Sequence, residues 1–130
     1  MPVLLRVLPP LLVLALAVLA AFPVRAASCD DAMSTAGRRD CHAAALQQAD
    51  RTLNQVYQAL LRHPSMDAQN QGLLRSAQRA WIAFRDAHCA WAADEMRGGT
   101  GSSVIMASCL ATLTAERASR LEAELKSRGN

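Results

Sequence analysis

The chain has 130 residues, 52% of them apolar and 19% charged, and its 14 basic and 11 acidic side chains give a formal charge of +3. That length supports one domain with a modest core, and so small a positive excess excludes the strong basic face of a nucleic-acid binder. Four cysteines in a chain this short read as two disulfides wherever the destination is oxidising.

The first residues predict export. Arg6 is the only charge before the apolar run Leu11–Phe22, and Pro23 then leads to the small-x-small site Val24-Arg25-Ala26. This order is that of a secretory signal peptide, here residues 1–26. Pro9-Pro10 and Pro23 bracket the run and leave it short of the roughly 20 residues a spanning helix needs, so no transmembrane segment is expected after cleavage. Removal of residues 1–26 leaves 104 residues (130 minus 26), read as a single helical domain over 27–130. Arg6 and Arg25 are lost with the leader, and the charge falls to +1 (12 basic minus 11 acidic). A periplasmic or secreted location follows. The alternative is lipid anchoring at Cys29, but "AASC" lacks the leucine expected three residues before the cysteine, and a lipid there would leave three cysteines.

Three helices are expected in what remains, with Gly37, Pro64, Gly98-Gly99 and Gly101 at the joints. The first runs from about Asp40, its expected cap, to Arg62, with Leu46, Ala49, Leu53, Val56 and Leu60 at helical spacing. The second spans about Asp67 to Met96, and its apolar stripe is read as Leu74, Ala77, Trp81, Phe84, His88 and Trp91, which puts Trp81, Phe84 and Trp91 in the core. Gly72 falls inside this pattern. Ser102 or Ser103 is expected to cap the third helix, whose stripe is Met106, Leu110, Leu113, Arg117, Leu121 and Leu125. No segment alternates with the period of two that marks a strand. The fold class is therefore all-α: a small antiparallel three-helix bundle with two disulfides.

The joints also set a register. Partners across the turn near Pro64 should have numbers summing to about 130, and partners across Gly98-Gly99 to about 198. Asp50, Asn54 and Tyr57 share one face of the first helix, and the register turns them toward Gln78, Arg85 and Arg117. These six residues are read as a structural polar layer, with Asp50 paired to Arg85 or Arg117, because a buried charge is tolerated only when paired and hydrogen-bonded. On that reading, Asp50→Ala costs several kcal/mol.

No catalytic residue, cofactor or metal is expected. There is no Gly-x-Ser-x-Gly elbow, and "GGTGSS" (98–103) lacks the lysine of a phosphate loop. Cys41-His42 and His88-Cys89 meet at one end, but neighbouring helical residues diverge by about 100°, and disulfide sulfurs are not thiolate ligands.

Three segments together carry a resemblance: "ADRTLNQVYQALL" (49–61), "QRAWIAFRDAHC" (78–89) and "CLATLTAERASRL" (109–121). They resemble the LprI-type family of small exported bacterial proteins, over nearly all of the chain from Cys29 to about Leu121. The resemblance implies an exported helical domain with two disulfides, no known catalytic activity, and lysozyme inhibition as the activity attached to the family's name. His88 departs from the acidic residue expected before the third cysteine. The register alone leaves two disulfide pairings open, since Cys41 can approach Cys89 and leave Cys29 for Cys109. The local pairing, Cys29 with Cys41 and Cys89 with Cys109, is the one that fits the resemblance and the one expected.

Two functions compete. The first is an inhibitor that binds and blocks a lysozyme, whose cleft holds a carboxylate pair. Its candidate contact is the polar turn of Asp94, Glu95, Arg97, Thr100, Ser102 and Ser103, where Arg97, Thr100 and Ser102 offer hydrogen-bond donors. The second is a non-catalytic envelope or stress protein with another envelope partner.

Overall fold

In a computed structural model, residues 28–32 and 34–129 are described; the expected signal peptide, residues 1–26, lies outside them. A single 3-10 turn, Cys29–Asp31, precedes three long helices: α1 (Thr35–Leu61), α2 (Ala68–Asp94) and α3 (Gly101–Arg128). No strand occurs among the described residues. The expected antiparallel three-helix fold is what forms, with α1 and α3 running the same way and α2 between them in sequence.

Local chemistry explains the helix ends. Ser34 caps α1, its hydroxyl accepting from the Gly37 amide at 3.0 Å. The helix therefore begins about a turn before Asp40, and Gly37 lies inside it rather than at a joint. Asp67 caps α2 by accepting from the Asn70 amide at 2.7 Å. Gly98, with φ +81°, takes the left-handed step that ends the α2 segment and turns the chain toward α3. The expected serine cap of α3 is not formed: Thr100 holds that position with no side-chain bond. Ser102 and Ser103 instead donate their hydroxyls to the carbonyls of Ala93 (3.0 Å) and Thr100 (3.0 Å).

The core lies chiefly between α1 and α3. Leu53 and Leu60 from α1 meet Ala118 and Leu121 from α3, with Val56, Tyr57, Leu74, Trp81 and Leu125 packed around them. Along α3 the buried line is Ala111, Thr114, Ala118 and Leu121, while most of the expected stripe, including Met106, Leu110, Leu113 and Leu125, is half-buried beside it. Small residues at Ala49, Ala111 and Ala118 let the two helix axes approach closely. Helix α2 joins this pair mainly through α3.

That arrangement overturns part of the expected core. Trp81 is half-buried against the cluster, but Phe84 is 56% exposed and Trp91 67% exposed. The inward face of α2 is instead Leu74, Gln78, Trp81, Arg85, Cys89 and Ala93. The physical reason is that α1 and α3 fill the centre with their own side chains, so α2 lies over them with its polar residues turned inward.

Both disulfides take the local pairing: Cys29 with Cys41 and Cys89 with Cys109, and no cysteine is left free. Cys89 is fully buried. Residues 89 and 109 sum to 198, as the register requires, and the pair fastens α2 to α3 about two turns from their connection.

Candidate functional site: the inter-helix polar layer and the turn after α2

Trp81 organises the polar layer. Its indole is flanked by two guanidinium groups, Arg85 at 5.2 Å and Arg117 at 5.9 Å from the ring centroid, both within cation–π range. The Arg117 Nε donates to Gln78 Oε1 at 3.1 Å. The Arg85 Nη1 donates to Thr114 Oγ1 at 3.2 Å, and its Nε donates to Asp86 at 2.9 Å. Thr114 is fully buried and so needs that partner. Burial, and then the charge of Arg120, lowers the Arg117 pKa from its ordinary value.

Four of the six expected residues do meet across the helices: Asp50, Gln78, Arg85 and Arg117. Asp50 lies 3.7 Å from Arg85, not beside Arg117, and its side chain is 47% exposed. The pair therefore sits in a half-wet setting and contributes at most about 1 kcal/mol. Asn54 is exposed and outside the layer, and Tyr57 packs its ring against the apolar cluster. Two contributors were missed, Thr114 and Asp86. Thr114 could have been found, because 85 and 114 sum to 199, within the same register as the disulfide.

His88 belongs to a different surface. Its ring stacks on Phe84 at 5.4 Å and 27°, and lies tilted against Trp91 at 5.5 Å. The three rings make an aromatic edge along the outside of α2. Among the described residues no three His, Cys, Asp or Glu side chains converge as a metal site would require, and no helix is long and apolar enough to cross a membrane.

The turn after α2 is more ordered than its glycines suggest. The Arg97 Nε donates to Asp94 Oδ1 at 2.7 Å and Nη2 to Oδ2 at 2.5 Å, a two-pronged pair on the exposed tip. This contact lowers the Asp94 pKa and raises that of Arg97. Ser102 and Ser103 are committed to backbone carbonyls, so of the three expected donors Arg97 and Thr100 face outward and Ser102 does not. Glu95 is exposed beside them.

A family model described as lysozyme inhibitor LprI matches residues 27–121. The chain belongs to the LprI lysozyme inhibitor family. The three-segment resemblance that pointed to LprI lies wholly inside the matched span. A relative from Rhizobium meliloti (strain 1021), "Uncharacterized protein R02472", is 31% identical over 115 residues, which cover 78% of this chain and 81% of that protein. No solved structure matches.

Proposed function

We propose that this chain is an exported inhibitor of a muramidase such as lysozyme, binding the enzyme and blocking it without catalysing a reaction of its own. The observation that carries the proposal is the LprI lysozyme inhibitor match across residues 27–121, which spans nearly everything left once a leader of 26 residues is removed. Two disulfides support an oxidising destination, periplasmic or secreted.

The contact is assigned to the turn from Asp94 to Ser103. A lysozyme cleft presents one carboxylic acid and one carboxylate, and a planar guanidinium matches a carboxylate better than an ammonium does. Arg97 is held by Asp94 through Nε and Nη2, which leaves Nη1 as its outward donor, with Thr100 close by. Holding the side chain in place in the free protein reduces the ordering needed on binding. The mature charge of +1 gives little long-range attraction or repulsion, so recognition rests on the shape of this tip rather than on steering.

The test is titration of the oxidised mature protein into a lysozyme assay beside an Arg97→Ala variant and a reduced control. Inhibition saturating near one-to-one, weakened by the variant and lost on reduction, is the expected result. No inhibition of several lysozyme classes at stoichiometric excess overturns the proposal and passes the function to an envelope or stress protein with a different partner.

A further inference from the structure

The outer flank of α2 carries a pattern that the bundle does not use. Leu73, Ala77, Ala80, Phe84, Ala87 and Trp91 follow one another at steps of 4, 3, 4, 3 and 4, the 3.5-residue period of a coiled-coil seam. All six are apolar and all six are exposed, Leu73 by 63%, Phe84 by 56% and Trp91 by 67%. A single exposed leucine is ordinary, but a continuous apolar seam in water marks an interaction surface. The bundle packs α2 through a different set, Leu74, Gln78, Trp81, Arg85 and Cys89. The helix thus has two seams, of which one is partnered.

We propose that this outer seam pairs with the same seam of a second copy, α2 against α2, antiparallel about a two-fold axis. Facing residues then have numbers summing to 164, with the axis at position 82. Leu73 meets Trp91, Ala77 meets Ala87, and Ala80 meets Phe84. Each large side chain faces a smaller one, and the alanine layers let the axes approach to about 8 Å. A parallel pairing in register sets tryptophan on tryptophan and alanine on alanine, so its layers alternate between crowded and empty.

Helix α3 adds charge complementarity to the same register. Phe84 shares a groove with Leu113, Glu116, Arg117 and Arg120. Partners across α2 and α3 sum to about 198, so Glu116 lies level with position 82 and hence at the axis. The two-fold sets the two Glu116 carboxylates about the axis, within side-chain reach of Arg117 and Arg120 of the other copy, so four guanidinium groups surround two carboxylates. Within one chain, none of these three has an oppositely charged partner within 4.0 Å among the described residues. An interface that uses the same patch on both sides closes at two copies. The dimer places the two Asp94–Ser103 turns at opposite extremities, away from the axis.

Sedimentation equilibrium and light scattering on the oxidised mature protein test the pairing. The expected mass is that of two chains. Phe84→Glu raises the dimer dissociation constant at least about 100-fold, since it puts two carboxylates into an apolar seam. Ala80→Phe, which sets ring against ring, also weakens the dimer, and the swap A80F/F84A restores it by returning large against small. Positions 80 and 84 are both exposed in the single chain, so each variant keeps the helical circular dichroism of the parent. A single-chain mass at every concentration, an open-ended assembly, a dimer indifferent to F84E, or a swap that fails to restore pairing overturns the proposal.

Discussion

Replacing Cys89 and Cys109 together by alanine tests how α2 is held. The chain-entropy relation assigns about 3.3 kcal/mol to a crosslink of 20 residues' separation and about 2.8 kcal/mol to one of 12. The structure widens that gap. Cys89 is fully buried, so removing its sulfur also costs packing, roughly 1 kcal/mol, whereas Cys29 and Cys41 lie half-buried at an end of the bundle. The expected losses are about 4 kcal/mol for the Cys89–Cys109 pair and about 3 kcal/mol for the Cys29–Cys41 pair. At about 4–8 °C per kcal/mol for a domain near 100 residues, these are separable in a thermal melt. Amide exchange adds a sharper test. Because α2 packs mainly on α3, while α1 and α3 share the core, losing the bond releases α2 first. Protection should fall along residues 68–94 and persist at Leu53, Leu60 and Leu121. Unchanged exchange in α2, or a loss smaller than that of the Cys29–Cys41 variant, refutes the idea that this crosslink is what keeps α2 in place.

Other perturbations separate the remaining contributions. Leu60→Ala removes a side chain only 1% exposed and should cost 2–5 kcal/mol in urea titration. Asp50→Ala should cost less than about 1 kcal/mol, not the several expected of a buried pair, because the carboxylate is 47% exposed and 3.7 Å from Arg85. Thr114→Val should cost about 1–3 kcal/mol by leaving the Arg85 guanidinium without its buried acceptor. The Asp94 carboxyl, held below its ordinary value of 3.8 by Arg97, should titrate by NMR below that value. Its contribution to holding the tip is complete above the ordinary value and is lost as pH falls through the lowered one. Arg97→Ala should return the titration upward toward 3.8.

The legible and illegible parts of the fold have distinct physical origins. Register was legible because turn positions fix pairwise sums. Cys89 with Cys109, Arg85 with Thr114 and Gln78 with Arg117 all fall near 198. The start of α1 was not legible from the breaker at Gly37, because a glycine in the first turn costs little once Ser34 caps the helix. The facing of α2 was misread for a deeper reason. Periodicity finds an apolar stripe but not its partner, and α2 carries two stripes. The richer one, with Phe84 and Trp91, points to water, while the inward one includes Gln78 and Arg85. In the candidate contact turn the residues were legible but not their orientation, since a hydroxyl such as that of Ser102 turns to whichever helix-end carbonyl the fold brings within reach.

The Cys89–Cys109 bond also makes the turn after α2 part of a closed covalent ring. Arg97, exposed at the tip, offers a trypsin-like protease its cleavage residue. A cut there opens the ring without dividing the molecule, because the sulfur bridge joins both sides of the break and the helices remain docked. A nicked molecule therefore migrates as one species on a non-reducing gel and as two after reduction. The bridge acts as a retention device, keeping a severed tip in position where an unbridged hairpin would come apart.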